Sequence, residues 1–263
     1  VLCFYNITKT NSLLFCFFLY FASPFSAENA EAEGFEAGRH YCLSLLTFRI
    51  LLMYHYSMEH NTPTTTLLMI MDRLKSFDLE RLSELTGARI YEAGGGRYKL
   101  EVRLFDDSIW VTYPDIEVRD SENGSVSENL KGLVLYYLIT ADGTSLYHRW
   151  VALSELTDGA FYNQAYQGYT GNRLVKTFGN DLEAFRSASL ALVGSSESYG
   201  DIGFSFQALP KVPVLAVYWK GDEEFSPSAK VLFDGSASHY LPTDLCAYLG
   251  SVLTEKLIEG SKG

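Results

Sequence analysis

Five acidic side chains and one imidazole stand at the ends of apolar runs between Val212 and Asp244. Asp222, Glu223 and Glu224 follow a run that ends in Trp219. Asp234 closes a second run, and His239 and Asp244 come shortly after it. Val212–Trp219 and Lys230–Phe233 have the apolar, β-rich composition of adjacent strands, which places Lys220–Ala229 in their connection. If strand ends and the following helix start converge, carboxylates and an imidazole share one cleft. Such a set suits a hard divalent cation held by oxygen ligands, with Asp222, Glu223 and Asp234 as the metal candidates. It also suits general acid–base chemistry. Each residue has a structural role available too. Gly221-Asp222 is ordinary turn chemistry, Asp244 favours the positive end of a helix dipole, and His239 can simply bond a carbonyl.

Aromatic residues extend the candidate cleft. Trp150, Tyr162 and Trp219, with the 222–244 segment, are the expected ligand-binding lining, and His148 beside Trp150 is either a cleft residue or a half-buried strand-edge histidine. Ser236 and Ser238 lie near His239, but a nucleophile also needs its base placed in space and an oxyanion donor. No Cys-x-x-Cys, His-Glu-x-x-His, Walker loop or Gly-x-Ser-x-Gly elbow occurs. Gly94-Gly95-Gly96 opens a strand rather than a helix, so it reads as a turn and not as a phosphate cradle.

The elements that must position these residues begin near Thr66. A short apolar helix is followed by a second, capped by Asp78 and ended by Gly87. Tyr98–Leu104 and Ile109–Tyr113 alternate as a hairpin around Asp106-Asp107. A helix from about Glu128 to Ile139 follows, capped by Ser127, and Asp142-Gly143 turns the chain. Tyr147–Leu153 reads as a strand, and the Tyr-rich residues 158–172 as an ordered loop. Helices over Asn172–Phe178 and Asp181–Val193, a strand over Asp201–Leu209, and a closing helix over Pro242–Glu259 complete the pattern. Strands and helices do not alternate strictly. The expected fold is therefore α+β, a mainly antiparallel sheet packed with helices in a single domain over residues 58–263.

Residues 1–57 differ. Leu13–Phe25 is apolar but shorter than a bilayer span, and no small-x-small cleavage pattern follows it. A signal peptide, a membrane anchor, or in-frame sequence ahead of the true start would each account for it; the last is the expectation here. Three of the four cysteines, Cys3, Cys16 and Cys42, lie in this segment, leaving Cys246 alone in residues 58–263. One thiol makes neither a disulfide nor a four-thiolate iron–sulphur cluster, so a reduced, cytoplasmic protein is expected. The net charge of −11 and the lack of any Lys/Arg run disfavour nucleic acid and an anionic membrane surface. That leaves a small molecule or a protein as partner.

The order Trp150-Val-x-Leu-x-Glu-Leu, Gly159-Ala-Phe-Tyr162, Tyr218-Trp-Lys-Gly-Asp-Glu-Glu-Phe225, Leu232-Phe-Asp234 and Tyr240-Leu-Pro-Thr-Asp244 resembles the bacterial and archaeal domain of unknown function numbered 3786. The resemblance covers about residues 66–257, and its most specific part is the segment after Trp219. It carries no assigned reaction. Some relatives join this domain to an iron–sulphur module, which implies anaerobic redox or corrinoid metabolism; this chain departs there, having one cysteine in the body. The expected function is thus a ligand-binding or accessory domain of anaerobic metabolism, with a metal ion on the carboxylates as one form. The alternatives are a metal-assisted or acid–base hydrolase using Asp222, Glu223, Glu224, Asp234 and His239, and an interaction module for a redox partner.

Overall fold

The computed structural model describes the backbone of residues 63–261 and side chains from residue 66. The chain divides after His60 into two units, and the expectations on residues 1–57 lie outside the described residues. The second unit begins with α1 (Pro63–Leu74) and α2 (Leu79–Thr86). Four strands follow, β1 (Arg89–Gly94), β2 (Arg97–Leu104), β3 (Asp107–Tyr113) and β4 (Val118–Arg119), then α3 (Glu128–Thr140). After β5 (Trp150–Val151) come two 3₁₀ turns, Leu153–Glu155 and Gly159–Phe161, and the helices α4 (Asn163–Tyr169), α5 (Gly171–Phe178) and α6 (Leu182–Ala191). The remainder is β6 (Ser195–Glu197), β7 (Ile202–Leu209), β8 (Val212–Trp219), β9 (Ser228–Asp234), a 3₁₀ turn at Ala237–His239, and α7 (Thr243–Gly260).

The strands form two sheets, in the orders β1-β2-β3-β4 and β5-β9-β8-β7-β6, and every strand pair is antiparallel. The α+β class holds, with two sheets where one was expected. β8 is the middle strand of the second sheet and is buried along almost its whole length. That explains its unbroken apolar run: both of its faces are covered, so no alternation survives. Pro213 is tolerated there because it sits at the strand's start, facing a bulge between Gln207 and Leu209 of β7. The sheets meet where Phe105 N–H donates to the Ala208 carbonyl at 2.9 Å. Helices α5, α6 and α7 pack together and against β7 and β9. Phe178, Phe185, Phe204 and Tyr218 interlock between them, with ring centroids 5.2 to 6.2 Å apart.

Local signals explain most element ends. Asp78, Ser127 and Asp181 each accept a backbone N–H of the helix they precede. Gly94, Gly95 and Gly96 all have positive φ at the tip of the β1–β2 hairpin, so the turn reading stands. Gly87 closes α2 in the left-handed conformation, φ 70°. A Cβ there would also meet Pro210 Cβ at 3.0 Å. Gly87→Ala is therefore expected to lower stability by about 1–2 kcal/mol in urea unfolding, and no loss would mean the helix end simply re-forms.

The 158–172 stretch departs from the loop expectation by forming a 3₁₀ turn and α4. Asn, Gly and Tyr have weak helix propensity. Packing supplies what propensity lacks: Tyr166 is buried against Phe233 and Tyr169. Among the described residues no helix is long and apolar enough to cross a membrane.

Candidate functional site

Asp234 ends β9 and is buried, 2% exposed. Its Oδ1 accepts the Tyr147 N–H at 2.9 Å, the Ser236 N–H at 2.9 Å and the Ser236 hydroxyl at 2.6 Å. Burial alone would raise its pKa. The Ser236 hydroxyl and the backbone amides of Ser236, Tyr147 and His148 outweigh that and hold it below the ordinary carboxylate range. Asp234 thus works as a clamp. It pins residues 147–148, which follow the Asp142-Gly143 turn, to the turn after β9, and the Ser236 hydroxyl is spent as its donor. Gly235 N–H adds a 2.8 Å bond to the Arg149 carbonyl.

The clamp brings three distant side chains together on the 3₁₀ turn that carries His239. Asp142 Oδ2 lies 2.7 Å from His239 Nδ1, and Tyr147 Oη lies 3.0 Å from Nε2. The Thr144 hydroxyl is 3.1 Å from Nδ1, and its N–H donates to Asp142 Oδ1 at 2.8 Å. Below them, Tyr240 donates its hydroxyl to the Thr144 carbonyl. Hydrogen bonds from the Thr144 hydroxyl and then from His239 pull the Asp142 carboxyl down to about 2. A carboxylate can only accept, so it assigns a ring proton to Nδ1, and in the neutral ring Nε2 is then the acceptor for the phenol. The chain of bonds then runs Tyr147 O–H to His239, and His239 N–H to Asp142. Tyr147 is 51% exposed and the imidazole is about as open as a third of its surface, 36%. Both groups are reachable.

The expected carboxylate cluster is not assembled. Asp222, Glu223 and Glu224 lie at the Trp219 end of β8, whereas Asp234 and His239 lie beyond the far end of β9. Seven extended residues separate the two groups by roughly 20 Å. Asp222 caps its own turn, accepting the Glu224 and Phe225 N–H groups at 2.8 and 2.7 Å. The Phe225 and Glu224 backbone bonds lower its pKa. Glu223 and Glu224 are exposed, and Trp219 receives the Lys230 ammonium at 5.9 Å from its ring centroid. Among the described residues, no group of three or more His, Cys, Asp or Glu side chains is arranged to hold a metal ion.

Trp150 does lie beside the clamp, paired with Asp234 across β5 and β9. Trp150 and Trp219 therefore stand at opposite ends of the second sheet and cannot line one cleft. Tyr162 follows the second 3₁₀ turn and is partly exposed. His148 is not a strand-edge residue. It is exposed at φ 52°, and strand β5 starts only at Trp150. Of the candidates, Trp150, Asp234 and His239 lie at one end of the second sheet.

The model of the family described as a domain of unknown function (DUF3786) matches residues 78–256. The chain belongs to this family. The match spans both sheets and all residues of the Asp142–His239–Tyr147 chain, so the relay lies inside the DUF3786 domain. No curated protein and no solved structure shows significant similarity to the chain. The sequence reading missed Asp142, Thr144 and Tyr147. Asp142 was read as a turn residue only. It is one, through its Oδ1; its second oxygen is what reaches His239.

Proposed function

We propose that this domain binds a small molecule at the His239 end of its second sheet and carries out proton transfer or nucleophilic chemistry there. One observation carries the reading: an imidazole held between an ionised carboxylate and an exposed phenol. Asp142 orients the ring and stabilises the imidazolium that forms. His239 Nε2 is the base, and Tyr147 is the group that loses its proton and attacks. This keeps His239 from the expected acid–base set and replaces the other carboxylates with Asp142.

The test needs no substrate. An aryl sulfonyl fluoride reports phenol activation: the Tyr147 proton passes to His239, the phenolate oxygen bonds to sulphur, and fluoride leaves. Peptide mass spectrometry is expected to find Tyr147 labelled at least about tenfold faster than Tyr199, whose exposure is similar at 45%. The advantage should vanish in His239→Gln. Equal labelling of Tyr147 and Tyr199 in the unaltered chain would show that the three side chains only latch the loop.

A further inference from the structure

The junction of the two sheets holds a cleft of about 470 Å³, whose lining includes Phe105, Val193 and Phe206 with Arg89, Arg103 and one carboxylate, Asp106. That volume suits a small organic molecule, and an apolar floor with a few polar groups is how such sites are built. Its cations are not incidental. Arg89 stands opposite Glu101 on β1, and Arg103 is two residues along β2 on the same face, so the two guanidiniums are diagonal neighbours. Arg89 gives one N–H to Glu101 at 2.9 Å, and Glu101 is further occupied by Tyr91 and Ser108. Arg103 donates to the Asp106 carbonyl at 3.3 Å, while the Asp106 and Asp107 carboxylates are taken by Lys256 at 2.8 and 2.7 Å.

Charge and backbone conformation point the same way. Arg97 and Lys99 share the face of Arg103 by strand alternation, and Arg119 stands in the row of Arg89, Glu101 and Trp110. Five cations thus share one sheet face with Glu101, Arg89 paired to Glu101 and Arg119 to Glu117, so the face keeps a positive excess in a chain whose net charge is −11, although no Lys/Arg run occurs in sequence. The period of two hides them. Such a face draws anions from solution toward the cleft. Phe105 and Val193, both in the lining, have φ of 54° and 58°. A left-handed, β-branched valine that is 79% exposed is a strained arrangement, of the kind found at ligand clamps.

We propose that this cleft binds a small organic anion. Its flat apolar body rests on Phe105, Phe206 and Val193, and its carboxylate, sulfonate or phosphate pairs with Arg103 and Arg89. The proposal is independent of the relay at His239.

The probe is 8-anilinonaphthalene-1-sulfonate titrated into the full chain. Its neutral counterpart N-phenyl-1-naphthylamine has the apolar body alone, and inorganic phosphate has the charge alone. The sulfonate is expected to bind at least about tenfold more tightly than either. Arg103→Gln should weaken the sulfonate by about tenfold and leave the neutral probe unchanged. Val193→Asp should weaken it as well, whereas Arg97→Gln, on the same face but outside the cleft, should change it less than about threefold. Melting curves check that each variant is folded. Equal binding of the charged and neutral probes, phosphate binding as tight as the sulfonate, or sulfonate affinity untouched by Arg103→Gln or Val193→Asp would each overturn the proposal.

Discussion

Asp234→Ala is expected to lower the unfolding free energy by about 3–5 kcal/mol, because it strands several buried donors at once. The Tyr147 amide, the Ser236 amide and the Ser236 hydroxyl all point at one oxygen of a residue that is 2% exposed. Asp234→Asn keeps an acceptor in place and should lose about half as much. The same variant should also disturb the relay, since the clamp fixes the backbone that carries Tyr147. Urea unfolding measures the first effect, and selective labelling of Tyr147 the second. A loss below about 1 kcal/mol would mean that the turn re-forms around other acceptors.

The pH dependence follows from the sign of the shifts. Asp234 and Asp142 both have folded pKa values below the unfolded value of about 3.9. Their stabilisation is present above that value and is lost as pH falls through the folded one, which for Asp142 is about 2. Unaltered chain should therefore lose stability between about pH 4 and pH 2, and Asp234→Ala should lose less over that window. The Asp142 side chain is half exposed, so solvent screening cuts its share to no more than about 1 kcal/mol.

How much of this was legible in the sequence depended on distance along the chain. Helix caps at Asp78, Ser127 and Asp181, the β2–β3 hairpin and the buried β8 run are written in neighbouring residues, and they were readable. The closing helix was placed within one residue of its observed ends, Thr243 and Gly260. Tyr147–Leu153 reads in the sequence as one strand, but only Trp150 and Val151 pair. The Asp234 carboxylate takes the Tyr147 amide, and His148 at φ 52° leaves the extended conformation that a longer ladder needs. The relay was out of reach for the same kind of reason: Asp142 lies 97 residues and Tyr147 92 residues from His239. No spacing rule links such positions. Proximity in sequence suggested a 222–244 cluster, and an extended β9 pulled it apart.

Phe185→Ala is expected to be the most destabilising core truncation, by about 3–5 kcal/mol. Phe185 is fully buried on α6 and touches Phe178, Phe204 and Tyr218 at centroid distances of 5.4, 6.2 and 5.2 Å. Its ring therefore joins α5 and α6 to strands β7 and β8. Three aromatic walls relax little, so the cavity term should be near its upper range. Phe185→Leu keeps most of the volume and should lose about 1–1.5 kcal/mol. Calorimetry or urea unfolding of the two variants separates packing from mere hydrophobicity: equal losses would show that the site collapses freely. The consequence for function is local. α6 ends beside Leu192 and Val193, which line the cleft between the sheets, whereas the His239 relay is held by β9 and its own turn. Phe185→Ala should accordingly weaken anilinonaphthalene sulfonate binding under conditions where the chain is still folded, and leave the labelling of Tyr147 unchanged.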